Sequence, residues 1–226
     1  MSSLVEFTEQ DTHTLIRLDD GKANAVSPEL AAQFNAALDK AEAAGKVVVV
    51  IGREGKFSAG FDLSVMGQGG DATRDLLRDG AGLAERILKF PTPVVLAVSG
   101  HAIAMGGLLL LSADYRIGVE GNFKIGLNEV AIGMTMPYFG VVLAQSRLAS
   151  KHLNRALDLA ELYDPLSAVD AGFLDEVVAP KDLEERAQAY AAQLSALDLT
   201  AYKQTKDRMR ADVYVAMRDA IEKELG

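Results

Sequence analysis

Two runs of apolar residues set the predicted framework of the chain. VVVVIG occupies residues 47–52 and VVLAVSG occupies residues 94–100, and neither run alternates with polar positions. Runs this short and this rich in valine are typical of strands that are covered on both faces. Nearer the N-terminus, VEFTEQ and HTLIRLD do alternate, which predicts two short strands joined by a turn at Asp11 and Thr12.

Helical periodicity fills much of the remaining chain. Pro28 stands at a favourable first helical position, and Leu30, Phe34 and Leu38 follow at a spacing of four residues, up to Gly45. Further helices are predicted at residues 71–89, 138–148, 151–162, 183–197 and 199–225, and two further short strands at YRIGVE and NFKIGLNE. Because strands alternate with helices over much of the chain, the sequence predicts an α/β fold.

The composition narrows the functional classes. With 226 residues, 49% hydrophobic and 24% charged, the chain suits one globular domain with, at most, a short helical appendage. A net charge of -9 argues against a nucleic-acid surface, and the absence of cysteine together with only three histidines argues against a metal site. The N-terminal MSSLVEF lacks a signal-peptide pattern and no apolar run could span a membrane, so we expect a cytoplasmic protein.

Two turns of small residues are the most informative motifs. FSAGFDLSVM at residues 57–66 and GHAIAMGG at residues 100–107 each bring glycine and alanine to the exit of a predicted strand. Backbone N–H groups that are unpaired at such turns can bind an oxygen that gains negative charge, and small side chains let a carbonyl approach them. The alternative is that these glycines mark tight packing only. The presence of two such turns favours the chemical interpretation.

Glu129 is the candidate proton acceptor. It lies in the apolar stretch IGLNEVAIGM, where loss of solvation would raise its pKa towards neutrality and suit it to proton transfer. The alternative is an ordinary glutamate at a solvated edge, since charged residues are mostly exposed.

Taken in order, FSAGFDLSVM, GHAIAMGG and NEVAIGM closely resemble the crotonase (enoyl-CoA hydratase/isomerase) superfamily. The resemblance implies an α/β spiral of ββα units over residues 1–195 and a C-terminal helical segment over residues 196–226 that covers the pocket or contacts another subunit. It further implies an acyl-CoA thioester substrate, with coenzyme A as part of the substrate and no separate cofactor, a role in fatty acid metabolism, and a homotrimer or a dimer of trimers.

The resemblance also assigns site residues. It implies that the thioester oxygen accepts hydrogen bonds from the backbone N–H groups of Phe61 and Met105, with Gly106 adjacent, and that Glu129 is catalytic. The residues implied to run along the adenine and pantetheine parts of the ligand are Ser58, Ala59, Gly60 and Asp62.

One position departs from the hydratases of that family. Most of them carry two carboxylates, one at the position of Glu129 and one where this chain has Leu108. Water addition uses one group to activate water and another to deliver a proton, whereas a single carboxylate can move a proton between two carbons. The chain also resembles the Δ3,Δ2-enoyl-CoA isomerase branch through IGLNE, so isomerase activity is preferred, and hydratase activity stays open.

Other functional classes fit less well. GHAIAMGG is also similar to the Clp protease family, but Ala104 occupies the position of its nucleophilic serine. No G-x-G-x-x-G follows a strand, which argues against a dinucleotide fold. A non-catalytic acyl-CoA binder that has lost turnover remains an alternative, supported by the missing second carboxylate.

Several further residues are interpreted mainly as structural. His101 is expected to be packed and hydrogen-bonded, and His13 and His152 are expected at the surface. Possible acyl-pocket residues that are more often core are Met134, Met136, Tyr138 and Phe139. Basic residues that could meet coenzyme A phosphates are Lys22, Arg53 and Lys56 and the helical set Lys203, Lys206, Arg208 and Arg210, for most of which a solvated helix face is the more ordinary interpretation.

Overall fold

A computed structural model describes residues 3–226 and contains two β-sheets surrounded by helices. The large sheet has six strands: β1 (Val5–Glu9), β2 (His13–Leu18), β3 (Val47–Ile51), β5 (Val94–Val98), β7 (Tyr115–Val119) and β10 (Glu176–Val178). The small sheet has four: β4 (Gly55–Ser58), β6 (Gly100–Ile103), β8 (Ile125–Gly126) and β9 (Leu162–Tyr163). The predicted α/β fold class is therefore confirmed.

Ten α-helices follow the strands in residues 3–226. They are α1 (Pro28–Ala44), α2 (Leu63–Met66), α3 (Gly70–Lys89), α4 (Met105–Ser112), α5 (Tyr138–Arg147), α6 (Ser150–Leu157), α7 (Pro165–Ala171), α8 (Leu183–Leu194), α9 (Leu199–Met209) and α10 (Ala211–Leu225). Short 3-10 turns span Val130–Ile132 and Pro180–Asp182. No helix in this described part is long and apolar enough to cross a membrane.

The large sheet follows from the two apolar runs. Its order is β1-β2-β3-β5-β7-β10, with β1 antiparallel to β2 and the remaining neighbours parallel. Along β3, Val47, Val49 and Ile51 pack towards α8, while Val48 and Val50 join the larger core that contains α1 and α3. Helices thus cover both faces of the sheet, which explains why the run lacks polar alternation.

The first predicted helix is confirmed at both ends. The hydroxyl of Ser27 accepts a hydrogen bond from the N–H of Leu30 at 3.1 Å, and Pro28 occupies the first turn. Gly45 ends α1 in the left-handed conformation, with φ of 64°. These local capping rules need no tertiary contact, which is why the sequence alone places this helix correctly.

The small sheet was not predicted, and it changes where the two motifs lie. The small-residue turns do not leave the apolar strands β3 and β5 directly; each leaves a second short strand, β4 or β6, that crosses into the small sheet. A Cβ on Gly100 would lie 2.1 Å from the carbonyl carbon of Gly55, so the backbones of β4 and β6 are in direct contact. The order strand, strand, turn, helix therefore occurs twice, in agreement with the implied ββα units.

The C-terminal prediction was wrong in two respects. The single helix predicted over residues 199–225 is two helices that meet at Arg210. The basic residues Lys206 and Arg210 lie neither on a solvated face nor in a phosphate site, because both are buried against Asp114.

His13 and His152, which were expected at the surface, are buried as well.

Asp114 holds the two buried cations. Its carboxylate accepts from Lys206 at 3.0 Å and from Arg210 at 2.9 Å, and the same cations donate to the carbonyls of Phe90 and Leu88 at the C-terminal end of α3. Burial lowers the pKa of Lys206 to about 8. This cluster ties the C-terminal helices to the core, and Asp114 is the only acidic side chain among the described residues that forms an ion pair with either cation.

We predict that Asp114→Ala lowers the free energy of unfolding by about 3–5 kcal/mol, because it leaves two buried cations without a counter-ion. Lys206→Met is the matched comparison, since it keeps the Asp114–Arg210 pair and replaces the other cation by an apolar side chain of similar length. Urea unfolding of both variants measures the difference. Equal losses would contradict the assignment of Asp114 as the shared counter-ion.

Candidate functional site

The first turn, between β4 and α2, is held by backbone hydrogen bonds that leave one N–H free. Val26 N–H donates to the Gly60 carbonyl at 2.8 Å, and Asp62 N–H donates to the Val26 carbonyl at 3.0 Å. In a parallel pairing of this kind, the N–H of the intervening Phe61 points to the opposite side of the strand. It has no hydrogen-bond acceptor among the residues that the structure describes.

Two of the small residues of this turn, Ser58 and Gly60, are buried, whereas Ala59 is exposed. The hydroxyl of Ser58 is buried and donates to the carbonyl of Asn24 at 2.8 Å, while Ala59 N–H donates to the carbonyl of Ala23 at 3.0 Å. Gly60 has φ of 96°, in the region that favours glycine. These bonds fix the turn so that the Phe61 N–H is held in one direction.

The second turn starts α4 with a strained residue. Ala104 has φ of 54° and ψ of -123°, a conformation that non-glycine residues rarely adopt. Its carbonyl accepts the first helical hydrogen bond from Leu108 N–H at 3.0 Å, and no side chain caps the helix. Within residues 3–226, the N–H groups of Met105, Gly106 and Gly107 therefore have no acceptor, as the start of a helix requires.

Glycines bring the two turns together. A Cβ on Gly106 would lie 2.4 Å from the carbonyl oxygen of Ser58, and one on Gly60 would lie 3.4 Å from the backbone nitrogen of Met105. Any side chain at Gly106 would force the start of α4 away from the end of β4. The packing interpretation of these glycines and the chemical one are compatible, because close packing is what places the two free N–H groups near each other.

Asp62 has a local role in the structure. It is the N-cap of α2, and its carboxylate accepts hydrogen bonds from the N–H and hydroxyl of Ser64 at 2.8 and 2.6 Å. The bond from the Ser64 hydroxyl lowers the pKa of Asp62 below its ordinary value. Its carboxylate thus fixes the turn that carries Phe61.

Glu129 lies where the apolar stretch folds back over the two turns. It follows β8 and precedes the 3-10 turn Val130–Ile132, and its side chain is only 5% exposed. One carboxylate oxygen, Oε2, has no hydrogen-bond partner among the described residues. Loss of solvation on burial raises the pKa of Glu129 to about 7. The expected burial and the direction of the pKa change are both confirmed.

One cavity of about 120 Å³ connects these features. Its lining residues are Ala59, Phe61, Leu63, Met66, Leu77, Ala104, Asn128, Glu129, Ile132, Met134 and Pro137. Only two of these have polar side chains, and only Glu129 is ionisable. The cavity can therefore hold an apolar group beside a single carboxylate that exchanges protons near neutral pH.

The position of Leu108 contrasts with that of Glu129. Leu108 is fully buried in the core and does not line the cavity. Its methyl groups lie against Gly140 of α5, at 3.3–3.4 Å from where a Cβ would be. The position to which the resemblance assigns a second carboxylate in hydratases is therefore filled here by an apolar contact between α4 and α5.

His101 and Phe139 lie outside the cavity, and Met134 lines it. His101 accepts a hydrogen bond from Lys124 N–H at 3.0 Å through Nδ1 and contacts the Phe123 ring edge-on, and burial lowers its pKa. Of the four possible acyl-pocket residues, Met134 lines the cavity; Phe139 belongs to the core.

The basic residues near the first turn are partly paired. Arg53 donates to the carbonyl of Lys22 at 2.7 Å and forms an ion pair with Asp19 at 3.3 Å. Near this turn, Lys22 and Lys56 form no ion pair in the described part of the chain.

Asn128 is a cavity residue that sequence reasoning did not single out. Its Oδ1 is buried and has no hydrogen-bond partner among residues 3–226. The signal was present in IGLNE, where a polar amide directly precedes the glutamate in an otherwise apolar stretch. The strain at Ala104 had no sequence signal, because alanine is ordinarily a helix former.

Comparisons with known proteins agree with this arrangement. The profile of a family described as enoyl-CoA hydratase/isomerase matches residues 8–226. Enoyl-CoA delta isomerase 1, mitochondrial, of Mus musculus is 28% identical over 91% of this chain and 74% of that protein. A putative enoyl-CoA hydratase of Thermus thermophilus is 29% identical over 85% of this chain and 78% of that protein. The relatives therefore carry both activities in their names.

Among solved structures, an enoyl-CoA hydratase/isomerase family protein from Pseudomonas syringae superposes with a TM-score of 0.96. The two sequences are 45% identical, and the match covers 98% of this chain and 96% of that chain.

We predict that the free energy of unfolding falls less between pH 5 and pH 8 in Glu129→Gln than in the parent protein. The native pKa is about 7, above the unfolded value near 4.5, so the parent loses stability as the pH rises between those values. The difference should be on the order of 1–3 kcal/mol. Urea unfolding at both pH values measures it, with Glu120→Gln at an exposed position as the control. An equal effect in both variants would contradict the burial argument.

Proposed function

The chain belongs to the enoyl-CoA hydratase/isomerase family, and from that premise we propose that it is an enoyl-CoA isomerase that converts 3-enoyl-CoA into 2-enoyl-CoA. The observation that carries the proposal is that, among residues 3–226, Glu129 is the only ionisable side chain lining the cavity beside the two turns. One carboxylate can take a proton from one carbon and return it to another. Water addition requires one group that activates water and a second group that delivers a proton.

The two free N–H groups provide the electrostatic part of the reaction. The thioester oxygen accepts hydrogen bonds from Phe61 and Met105, which together form an oxyanion hole. When the α-proton leaves C2, the electron pair moves into the carbonyl and this oxygen becomes negative. Donors already fixed by the ladder with Val26 and by the start of α4 stabilise that charge without reorganising.

Glu129 moves the proton. Its carboxylate takes the proton from C2, and the resulting dienolate carries negative charge on the oxygen and along the conjugated carbons. The protonated Glu129 then returns the proton to C4, so the double bond moves from C3–C4 to C2–C3 and no atom is gained or lost. A pKa of about 7 suits both steps, because the group must accept a proton and then release it.

The proposal also gives positions for the pantetheine arm and the acyl chain of the ligand. The turn Ser58–Asp62 lies along the pantetheine arm, with its small side chains allowing close approach to the backbone. The apolar part of the acyl chain contacts Leu77, Ile132 and Met134 in the cavity.

We predict that Glu129→Gln lowers the rate of double-bond migration by on the order of a hundredfold or more, because the amide cannot accept the α-proton. Formation of the conjugated 2-enoyl thioester from 3-enoyl-CoA, followed by ultraviolet absorbance, measures the rate. Glu120→Gln, at an exposed position, should keep the parent rate.

Two other outcomes would replace the proposal. A parent protein that adds water to 2-enoyl-CoA faster than it moves the double bond is a hydratase, the activity that the Thermus thermophilus relative carries in its name. A parent that binds acyl-CoA and catalyses neither reaction, with no exchange of the α-proton in deuterated water, is a binding protein.

We predict that kcat/KM for isomerisation rises with pH through an apparent pKa near 7 in the free enzyme. Below that pH, Glu129 is increasingly protonated and cannot accept the α-proton. Initial rates between pH 5.5 and 8.5 at low substrate concentration provide the measurement. A profile without change over this range would rule out Glu129 as the group whose ionisation controls turnover.

A further inference from the structure

Gly80 is a glycine in the interior of the long helix α3, where glycine is a poor helix former. It is buried, and its φ does not lie in the left-handed region, so no backbone conformation at this position requires glycine. A glycine of this kind usually has a packing reason. The contacts around it show what that reason is.

Side chains from both turns occupy the space that Gly80 leaves open. A Cβ on Gly80 would lie 2.4 and 2.5 Å from Cε1 and Cζ of Phe61, and 3.2 Å from Sδ of Met105. Ordinary contacts between carbon atoms are about 3.5–4.0 Å, so the Phe61 ring would have to move by roughly 1 Å. Phe61 and Met105 come from different segments of the chain, and they are the two residues whose N–H groups form the proposed oxyanion hole.

The Phe61 ring is partly buried, and two displacements would relieve the overlap. The backbone on either side of Phe61 is held by the hydrogen bonds of Val26 with Gly60 and Asp62. Beside the ring lie the fully buried Met105 and the cavity, which is also lined by Leu77, one turn before Gly80 on α3. A moved ring would therefore either pull the Phe61 N–H out of place or enter the cavity.

We propose that Gly80 is a positioning residue: its missing side chain lets Phe61 and Met105 pack together on α3 and so fixes the spacing of the two N–H donors. This inference rests on the proposed function of those donors. Misplacing a group in an active site by 1 Å can lower the rate about a hundredfold.

Three variants test the inference. Gly80→Ala introduces the overlap, and Gly82→Ala is the matched control, because Gly82 is exposed on the same helix and a Cβ there would meet nothing within 4 Å. Phe61→Leu removes the ring atoms that overlap and keeps the backbone N–H. Combining it with Gly80→Ala completes a double-mutant cycle.

We expect Gly80→Ala to lower kcat for 3-enoyl-CoA by about 10- to 100-fold with KM changed less than about threefold, since most ligand contacts remain. In the Phe61→Leu background the same substitution should cost less than about threefold. Gly82→Ala should keep the parent kcat, and its thermal unfolding reports any general effect of alanine in α3. A kcat loss of equal size in both backgrounds, or no loss at all, would overturn the inference.

A spectroscopic measurement separates this inference from the proposed function. Hydrogen bonds to a thioester oxygen lower the stretching frequency of its carbonyl, which can be followed by infrared difference spectroscopy of bound, carbonyl-labelled butyryl-CoA. We expect Gly80→Ala to return this frequency towards that of the free ligand, and Gly82→Ala to leave it unchanged. A parent that shifts the frequency but does not isomerise refutes the proposed function alone. An unchanged shift in Gly80→Ala refutes the role of Gly80, and a parent without any shift refutes both.

Discussion

The close approach of α4 to the end of β4 is the constraint on which the site depends. Gly106 lies so near the carbonyl of Ser58 that no side chain fits, and Gly107 is equally close to Gly126 of β8. These contacts place the start of α4, with its unpaired N–H groups, against the turn after β4. In that turn, the N–H of Phe61 points away from the strand that pairs with it. Neither turn alone can surround an oxygen; contact between them creates the arrangement.

The apolar surroundings of that contact set the chemistry of Glu129. Burial leaves Oε2 of Glu129 without a hydrogen-bond partner among the described residues and raises the pKa of this carboxyl to about 7. Burial of Glu129 lowers the stability of the fold at high pH, because a buried carboxylate is favourable only in its neutral form. Leu108 lies outside that cavity and makes an apolar contact with Gly140 of α5.

Buried charge elsewhere in the fold has a different purpose. Lys206 and Arg210 lie as deep as Glu129, yet both are paired with Asp114 and with carbonyls at the end of α3. Their spacing along the helix is the same as that of a solvated basic face, so no local pattern indicates that they are buried. Lys206 and Arg210 differ from Glu129 in having charged partners, and partners more than ninety residues away are not visible in a local sequence pattern.

The sequence by itself determined the elements whose signals are local: α1 with its caps at Ser27 and Gly45, the covered strands β3 and β5, the two small-residue turns and the apolar setting of Glu129. The sequence also identified the family, because three motifs in order are far more specific than any one of them. Only the tertiary structure decided that the turns leave the short strands β4 and β6, that Asn128 lines the cavity, that Ala104 is strained, and that His13 and His152 are buried. Each of these depends on which distant backbone lies alongside. Strands of two to four residues have too few positions for periodicity to appear, and burial of a polar side chain depends on contacts that hydrophobic spacing along the chain does not encode.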